Sequence, residues 1–203
     1  MARLSYKQQV QRVREDAIVE AVNRLLASKG YDAMTVDEVA AEAGMAKASV
    51  YKHFASKEEL AGAAMVRALD RALRFVDGLR EQTHVAPIDQ LKAVARWAMA
   101  SQLMGEMPSL PSQNSSLTAS LQANEAYMDR LMDLSNKLGI WITLAQTGGQ
   151  LNPDLPAEMV LYILFARACD PVVGMLKASG QYTDEQILDW VTLSTFGGLG
   201  VPG

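Results

Sequence analysis

Residues 35–60 read TVDEVAAEAGMAKASVYKHFASKEEL. Val36, Val39, Ala40 and Ala43 recur at three and four, the spacing of one buried helix face. Thr35 precedes them and Glu38 follows three residues later, so the hydroxyl can accept from the N3 amide while the carboxylate reaches back. Gly44 ends this short helix. A second one over about residues 47–54 then places Val50 and Phe54 together at roughly 100° per residue, with Ala46 near them. Lys47, Ala48, Tyr51 and Lys52 occupy the opposing arc. Ser56-Lys57-Glu58-Glu59 forms another capping box and opens a longer helix that can run to about residue 81.

Residues 44–57 hold three lysines, one histidine and no acid, in a chain with 19 Lys+Arg against 23 Asp+Glu. Residues 1–60 carry nine basic and nine acidic side chains, and the rest carries ten against fourteen, so the acidic excess lies wholly beyond residue 60. The first part is therefore the one fitted to approach a polyanion. At 203 residues, 49% hydrophobic and 21% charged, the chain can bury a real core and is not largely disordered. Cys169 is the single cysteine, which excludes an intramolecular disulfide and Cys/His zinc sites. The N-terminus has no apolar signal-peptide core, and the most apolar run, MVLYILFA at 159–166, stops at Arg167 after eight residues, short of a membrane span. A soluble cytoplasmic protein without membrane contact is expected.

The periodicity elsewhere is helical throughout, predicting an all-α fold. A first helix over about residues 7–28 has Val10, Val13, Ala17, Ala21 and Leu25 on one face and Gly30 as its stop. Beyond residue 81, helices are expected at about 87–104, 115–138, 139–148, 156–178 and 183–196. Residues 105–116, with two prolines, read as a loop. Pro171 should kink the fourth of these helices or restart it at Asp170. The division expected is residues 1–56, a three-helix domain, and residues 57–203, a larger helical domain.

Two short helices joined at a glycine turn make a helix-turn-helix, and the second has what a major-groove helix requires. Alanines allow close approach, lysines meet phosphate or guanine edges, and Ala or Ser can touch a thymine methyl or a base edge. The ordered features Gly30-Tyr31, Thr35, Val39-Ala40, Gly44, Tyr51, His53-Phe54, Lys57 and Leu60 resemble the DNA-binding region of TetR-type transcriptional regulators, over about residues 10–65. That resemblance implies a phosphate-contacting hydroxyl at Thr35 and base reading by Lys47, Ala48, Ser49 and Lys52. It further implies phosphate contacts by Tyr51 and His53, and a backbone clamp at Lys57. Free N–H groups at the start of the helix opening at Lys57 suit a phosphate in any case. Ala46 stands where the family commonly has a capping serine, a difference of about 1 kcal/mol in the first turn.

The same resemblance implies pairing of two chains through the last two helices. Met159, Ile163 and Ala166, with Ile187, Trp190, Val191 and Ser194, are the residues expected at a homodimer interface, in a four-helix bundle. A two-fold protein would read a near-palindromic operator. Soft, large side chains in the middle helices, Trp97, Leu103, Met104, Met107, Tyr127, Met128, Leu131, Trp141 and Phe165, are expected to line a pocket for a small, mostly apolar inducer. The function expected is a dimeric repressor on double-stranded DNA, released by that ligand. A regulator answering to a protein partner or to no ligand, or an activator, is the alternative. A helical enzyme is remote: His53 and His84 are the two histidines, and no HExxH, phosphate loop or activated cysteine pattern is present. No catalytic residue, cofactor or metal ligand is expected.

Overall fold

A computed structural model describes residues 5–109 and 115–200. Among the described residues the regular structure is helical: α1 (Tyr6–Ala33), α2 (Val36–Glu42), α3 (Lys47–Val50), α4 (Lys57–Arg80), α5 (Pro87–Leu103), α6 (Ser116–Gln122), α7 (Glu125–Thr147), α8 (Ala157–Ala166), α9 (Pro171–Ser179) and α10 (Asp184–Leu199). They form two compact units, residues 1–67 with 108–128, and residues 68–107 with 129–203. The boundary expected at 56/57 instead coincides with the start of α4, whose first half belongs to the first unit and whose second half belongs to the second.

In the first unit, α1 supplies Ile18, Val19, Val22 and Leu26 to a core completed by Val39 of α2, Val50 of α3, Leu60 and Ala64 of α4, and Leu117 and Leu121 of α6. Ser5 and Gln8 cap α1 reciprocally, at 3.3 and 2.9 Å. Gly30, at φ 77, breaks α1 where its stop was expected, because only glycine takes that conformation without Cβ strain. One turn before this break the Leu26 carbonyl accepts from the Ser109 hydroxyl at 2.5 Å. Val13, expected on the buried face of α1, is 67% exposed. The apolar face is covered only from Ile18 onward, and the preceding turns extend past the core.

The second unit has two apolar clusters. One joins Val76 of α4, Leu91 and Val94 of α5, Leu138, Trp141 and Ile142 of α7, Val160 and Leu164 of α8, and Phe196 of α10. The other joins Met99 of α5, Val173 of α9, and Ile187, Leu188 and Val191 of α10. Arg96 on α5 pairs with Glu185 and, at 2.7 Å, with Asp189 on α10. The expected helix over 156–178 is interrupted by a 3₁₀ turn (Arg167–Cys169) and restarts at Pro171. Proline has no N–H to give to the preceding turn, and Asp170 caps the restart by accepting from Val172 N–H at 2.9 Å. Ala157–Ser179 is long and apolar enough by length and composition to cross a membrane, a longer stretch than the eight-residue run read from the sequence, but it is two helices with Arg167 and Asp170 between them.

One helix break moves. Residues 115–148 divide at Ala123-Asn124 rather than at residue 139, because the Asn124 carboxamide accepts from Tyr127 N–H at 3.0 Å and starts α7. Gly139 sits inside α7, where a Cβ would meet nothing within 4 Å.

Candidate nucleic-acid interface

Thr35 caps α2 as its sequence requires: its hydroxyl accepts from Glu38 N–H at 3.3 Å, and the Glu38 carboxylate accepts from Thr35 N–H at 3.0 Å. The Thr35 hydroxyl also donates to that carboxylate at 2.7 Å, so a phosphate would meet it already engaged. Gly44, at φ 66, lets Met45 N–H return to the Ala40 carbonyl at 2.8 Å and turns the chain into α3.

Ala46 is the N-cap of α3 and offers no side-chain cap; the first turn is held by Ser49 N–H on the Ala46 carbonyl at 2.8 Å. Regular helix lasts only through Val50, half the expected length. The chain then continues as turns bonded three and four residues back, His53 and Phe54 both donating to the Val50 carbonyl at 3.0 Å. Val50 is fully buried and Phe54 packs on the first core. Lys47, Ala48, Tyr51 and Lys52 are exposed on the other side, and Ser49 is half-buried.

Each acid of α2 is held by a cation. Lys29 binds Glu38, Arg24 binds Glu42 at 2.8 Å, and Lys47 binds Asp37 at 2.9 Å. The Lys29 ammonium, then the Thr35 hydroxyl and N–H, bring the Glu38 carboxyl down to about 2. Asp37 in turn raises Lys47. Lys52 has no acidic partner among the described residues. His53 Nδ1 lies 3.1 Å from Glu15 Oε1 with its side chain 11% exposed, more enclosed than Thr35 and Tyr51, which are exposed. The imidazole contact, then Gln11, lowers the Glu15 carboxyl.

Lys57 opens α4 with its ammonium 4.3 Å from the centre of the Tyr31 ring and 3.3 Å from the Asp32 carbonyl oxygen. Beside it the Ser56 hydroxyl accepts from Glu59 N–H at 3.0 Å, and Glu59 accepts from Ala55 N–H at 2.6 Å. The N–H groups expected to be open to a phosphate are thus partly occupied from within. The Tyr31 hydroxyl donates to Glu58 at 2.8 Å, and this bond is the first of several that lower the Glu58 carboxyl. Ser116 shares Glu58 Oε1 at 2.9 Å.

Sequence reasoning missed a groove beside α3. Tyr6, Lys7, Val10, Gln11 and Arg14 of α1, with Lys52 and His53, line a cleft of about 420 Å³. The signal for it was a basic, three- and four-spaced face on the first helix.

The residues expected to form a ligand pocket fall in both units. Tyr127 and Met128 belong to the first unit, and Trp97, Leu103, Met104, Met107, Leu131, Trp141 and Phe165 to the second. Trp97 stacks on Phe75 at 5.1 Å, Trp141 and Phe165 lie in or against the larger apolar cluster, Leu103 packs on the smaller one, and Met104 is exposed. Of the residues expected at a dimer interface, Ile187 and Val191 are buried within their own chain, since they close the smaller cluster. Met159, Ala166, Trp190 and Ser194 are exposed and Ile163 is half-buried. Tyr162 of α8, Met175 of α9 and Leu193 of α10 are exposed as well.

Residues 18–64 match the sequence profile of bacterial regulatory proteins of the tetR family. An uncharacterized HTH-type transcriptional regulator of Mycobacterium tuberculosis is 45% identical over 68 residues, 34% of this chain; the matched part spans 29% of that relative's length. Over most of the chain the fold is similar to that of the transcriptional regulator FadR from Bacillus subtilis, solved in complex with stearoyl-CoA, with a TM-score of 0.64 at 18% identity, covering 91% of this chain and 98% of that one. It is similar also to AibR in complex with isovaleryl coenzyme A and operator DNA, with a TM-score of 0.63 at 24% identity, covering 90% and 98%. The helix-turn-helix unit of this all-helical chain is thus that of the tetR family of bacterial regulatory proteins.

Proposed function

We propose that the protein is a homodimeric transcriptional repressor that binds a near-palindromic operator through α3 and is released by an acyl-bearing small molecule. The observation that carries the DNA reading is the outward arc of Lys47, Ala48, Tyr51 and Lys52, fixed in direction by the buried Val50. Lys47, Ala48, Ser49 and Lys52 face base edges in this reading, while Thr35, Tyr51, His53 and Lys57 hold phosphates on either side. Homodimer formation rests on the exposed apolar surface of α8, α9 and α10, which a second copy would cover with its own matching patch.

The acyl character of the inducer rests on the regulators of similar fold solved with stearoyl-CoA and isovaleryl coenzyme A. It agrees with the apolar and methionine-rich middle helices, where Trp97, Leu103, Met107 and Leu131 stand as lining residues. Because α4 is one helix from Lys57 to Arg80, a ligand that prefers a different setting of its second half can alter the spacing of two recognition helices. Only the difference in ligand affinity for the two conformers drives the change, and about 1–3 kcal/mol gives a 5- to 150-fold loss of operator affinity.

Fluorescence anisotropy on the duplex upstream of the protein's own gene, against a scrambled duplex at physiological salt, tests this reading. Preference for the upstream duplex, lost on adding a coenzyme A thioester, is expected. Equal affinity for both duplexes would overturn the operator reading, and retention of the preference at saturating thioester would overturn the ligand class.

A further inference from the structure

α1 is longer than its core requires. Its buried residues begin at Ile18, yet Ser5 and Gln8 build a full capping box more than two turns earlier. The match to the family profile begins at residue 18, so the first three turns of α1 lie outside the matched stretch. Holding three extra turns of helix in water costs backbone entropy that no buried side chain offsets.

The extension carries a particular face. Tyr6, Lys7, Val10, Gln11 and Arg14 fall on one side of α1 and form one wall of the 420 Å³ groove, with Lys52 and His53 as the other. Lys7, Arg14 and Lys52 have no acidic partner among the described residues, whereas the acids of α2 are each taken by Lys29, Arg24 or Lys47. Glu15, next to the groove, is held by His53 at 3.1 Å and Gln11 at 3.1 Å. Three uncompensated cations therefore converge on one open groove whose nearest carboxylate is already bound. Lys7 and Arg14 are separated by roughly 10 Å along the helix axis, at about 1.5 Å per residue. That length matches about three phosphates of one DNA strand, at about 3.4 Å of rise each.

We propose that this groove is a second DNA-backbone site: Lys7 and Arg14 of the α1 extension hold phosphates of the same strand that passes Lys52. The inference rests on the DNA-binding reading and adds contacts outside the helix-turn-helix. The charges carry no sequence information, so they add affinity for any duplex and steepen its salt dependence.

The test is the slope of log affinity against log salt for a fluorescein-labelled duplex of mixed sequence. Lys7→Gln combined with Arg14→Gln is expected to make the slope shallower by about 1.8, two phosphates at about 0.9 each, and Gln11→Lys to steepen it by about 0.9. Lys177→Gln, in the other unit, should leave it unchanged. All these side chains are exposed, and a thermal melt equal to that of the unaltered protein confirms folding. If the unaltered protein binds with a measurable slope and neither groove variant moves it, the groove is not a phosphate site and the helix-turn-helix reading stands. Absence of any duplex binding by the unaltered protein would overturn both.

Discussion

Lys57 and Tyr31 are stacked: the ammonium lies 4.3 Å from the ring centre, and the hydroxyl of the same ring donates to Glu58 at 2.8 Å. One aromatic side chain at the end of α1 therefore positions the first two residues of α4, the lysine by its face and the glutamate by its edge. The stack is worth about 0.5–1 kcal/mol at an exposed site. It holds the long lysine side chain in one place, so less entropy is lost when a phosphate arrives.

Removing the two partners should have separable effects. Lys57→Ala is expected to weaken binding to every duplex and to lower the salt slope by about 0.9. Tyr31→Phe keeps the ring under Lys57 but deletes the hydroxyl, leaving Glu58 bonded to Ser116 alone among these two partners. It should cost about 1 kcal/mol in urea unfolding with the salt slope unchanged. A changed slope in Tyr31→Phe would mean that the hydroxyl, and not the ring, sets the lysine.

Ala46 leaves the first turn of α3 without a side-chain cap, although its backbone, φ -71 and ψ 143, is already that of an N-cap residue. Ala46→Ser should therefore stabilise the protein by about 1 kcal/mol. The midpoint of chemical denaturation reads this directly, and the denaturant slope should stay constant.

Asp37 lies 2.9 Å from Lys47 and places a negative charge beside the proposed DNA face. Asp37→Asn releases the lysine and removes the repulsion, so DNA affinity should rise roughly three-fold at low salt, the scale of an exposed ion pair. The gain should fade towards 1 M salt, where the screening length is about 3 Å. Loss of an acid from the first turn of α2 should cost about 0.3–1 kcal/mol of stability at the same time. Affinity unchanged at low salt would place Lys47 away from the duplex.

Acid should unfold the first unit through its capping carboxylates. Glu38 titrates at about 2 in the folded chain against an ordinary value of 4.5, first because Lys29 binds its carboxylate and next because Thr35 does. The unfolded chain binds the proton at higher pH than the folded one. The stabilisation is therefore complete above about 4.5 and is lost as pH falls from there towards 2. Glu15 and Glu58 are lowered in the same direction. Glu38→Gln should be less stable than the unaltered protein at neutral pH and should show a smaller fall in melting temperature between pH 5 and about pH 2. Parallel melting curves for the two proteins would contradict this.

Local chemistry was what the sequence made readable. Thr35 with Glu38, the stop at Gly30 and the restart at Pro171 each depend on residues within one turn of the position they set. Asn124 is of the same kind, a side chain that caps within one turn, yet the break was expected at residue 139. What a face meets is not local. Val13 shares the periodicity of Ala17 and Ala21, yet nothing covers it. Leu117 and Leu121 enter the core of the first unit from far along the chain, which no window of sequence reports. The methionines and aromatics expected in a pocket illustrate the same limit: composition marks Trp141 and Met104 alike, and packing buries the first and exposes the second.

The last helix has one apolar face that is buried and another that is open. Ile187 is fully buried in the cluster with Met99 and Val173, whereas Leu193, on the same helix, is 73% exposed. A single chain gains nothing from exposing Leu193, Trp190, Met175 and Tyr162, but a second copy covering them would gain about 25 cal/mol for each Å² removed from water. Leu193→Glu should leave the melting temperature at low protein concentration unchanged while sedimentation shifts from dimer to monomer. Operator affinity should fall with it, because one recognition helix alone reads half a site. Ile187→Ala should instead lower stability by about 2–5 kcal/mol. A Leu193→Glu protein that still sediments as a dimer would place the pairing surface elsewhere.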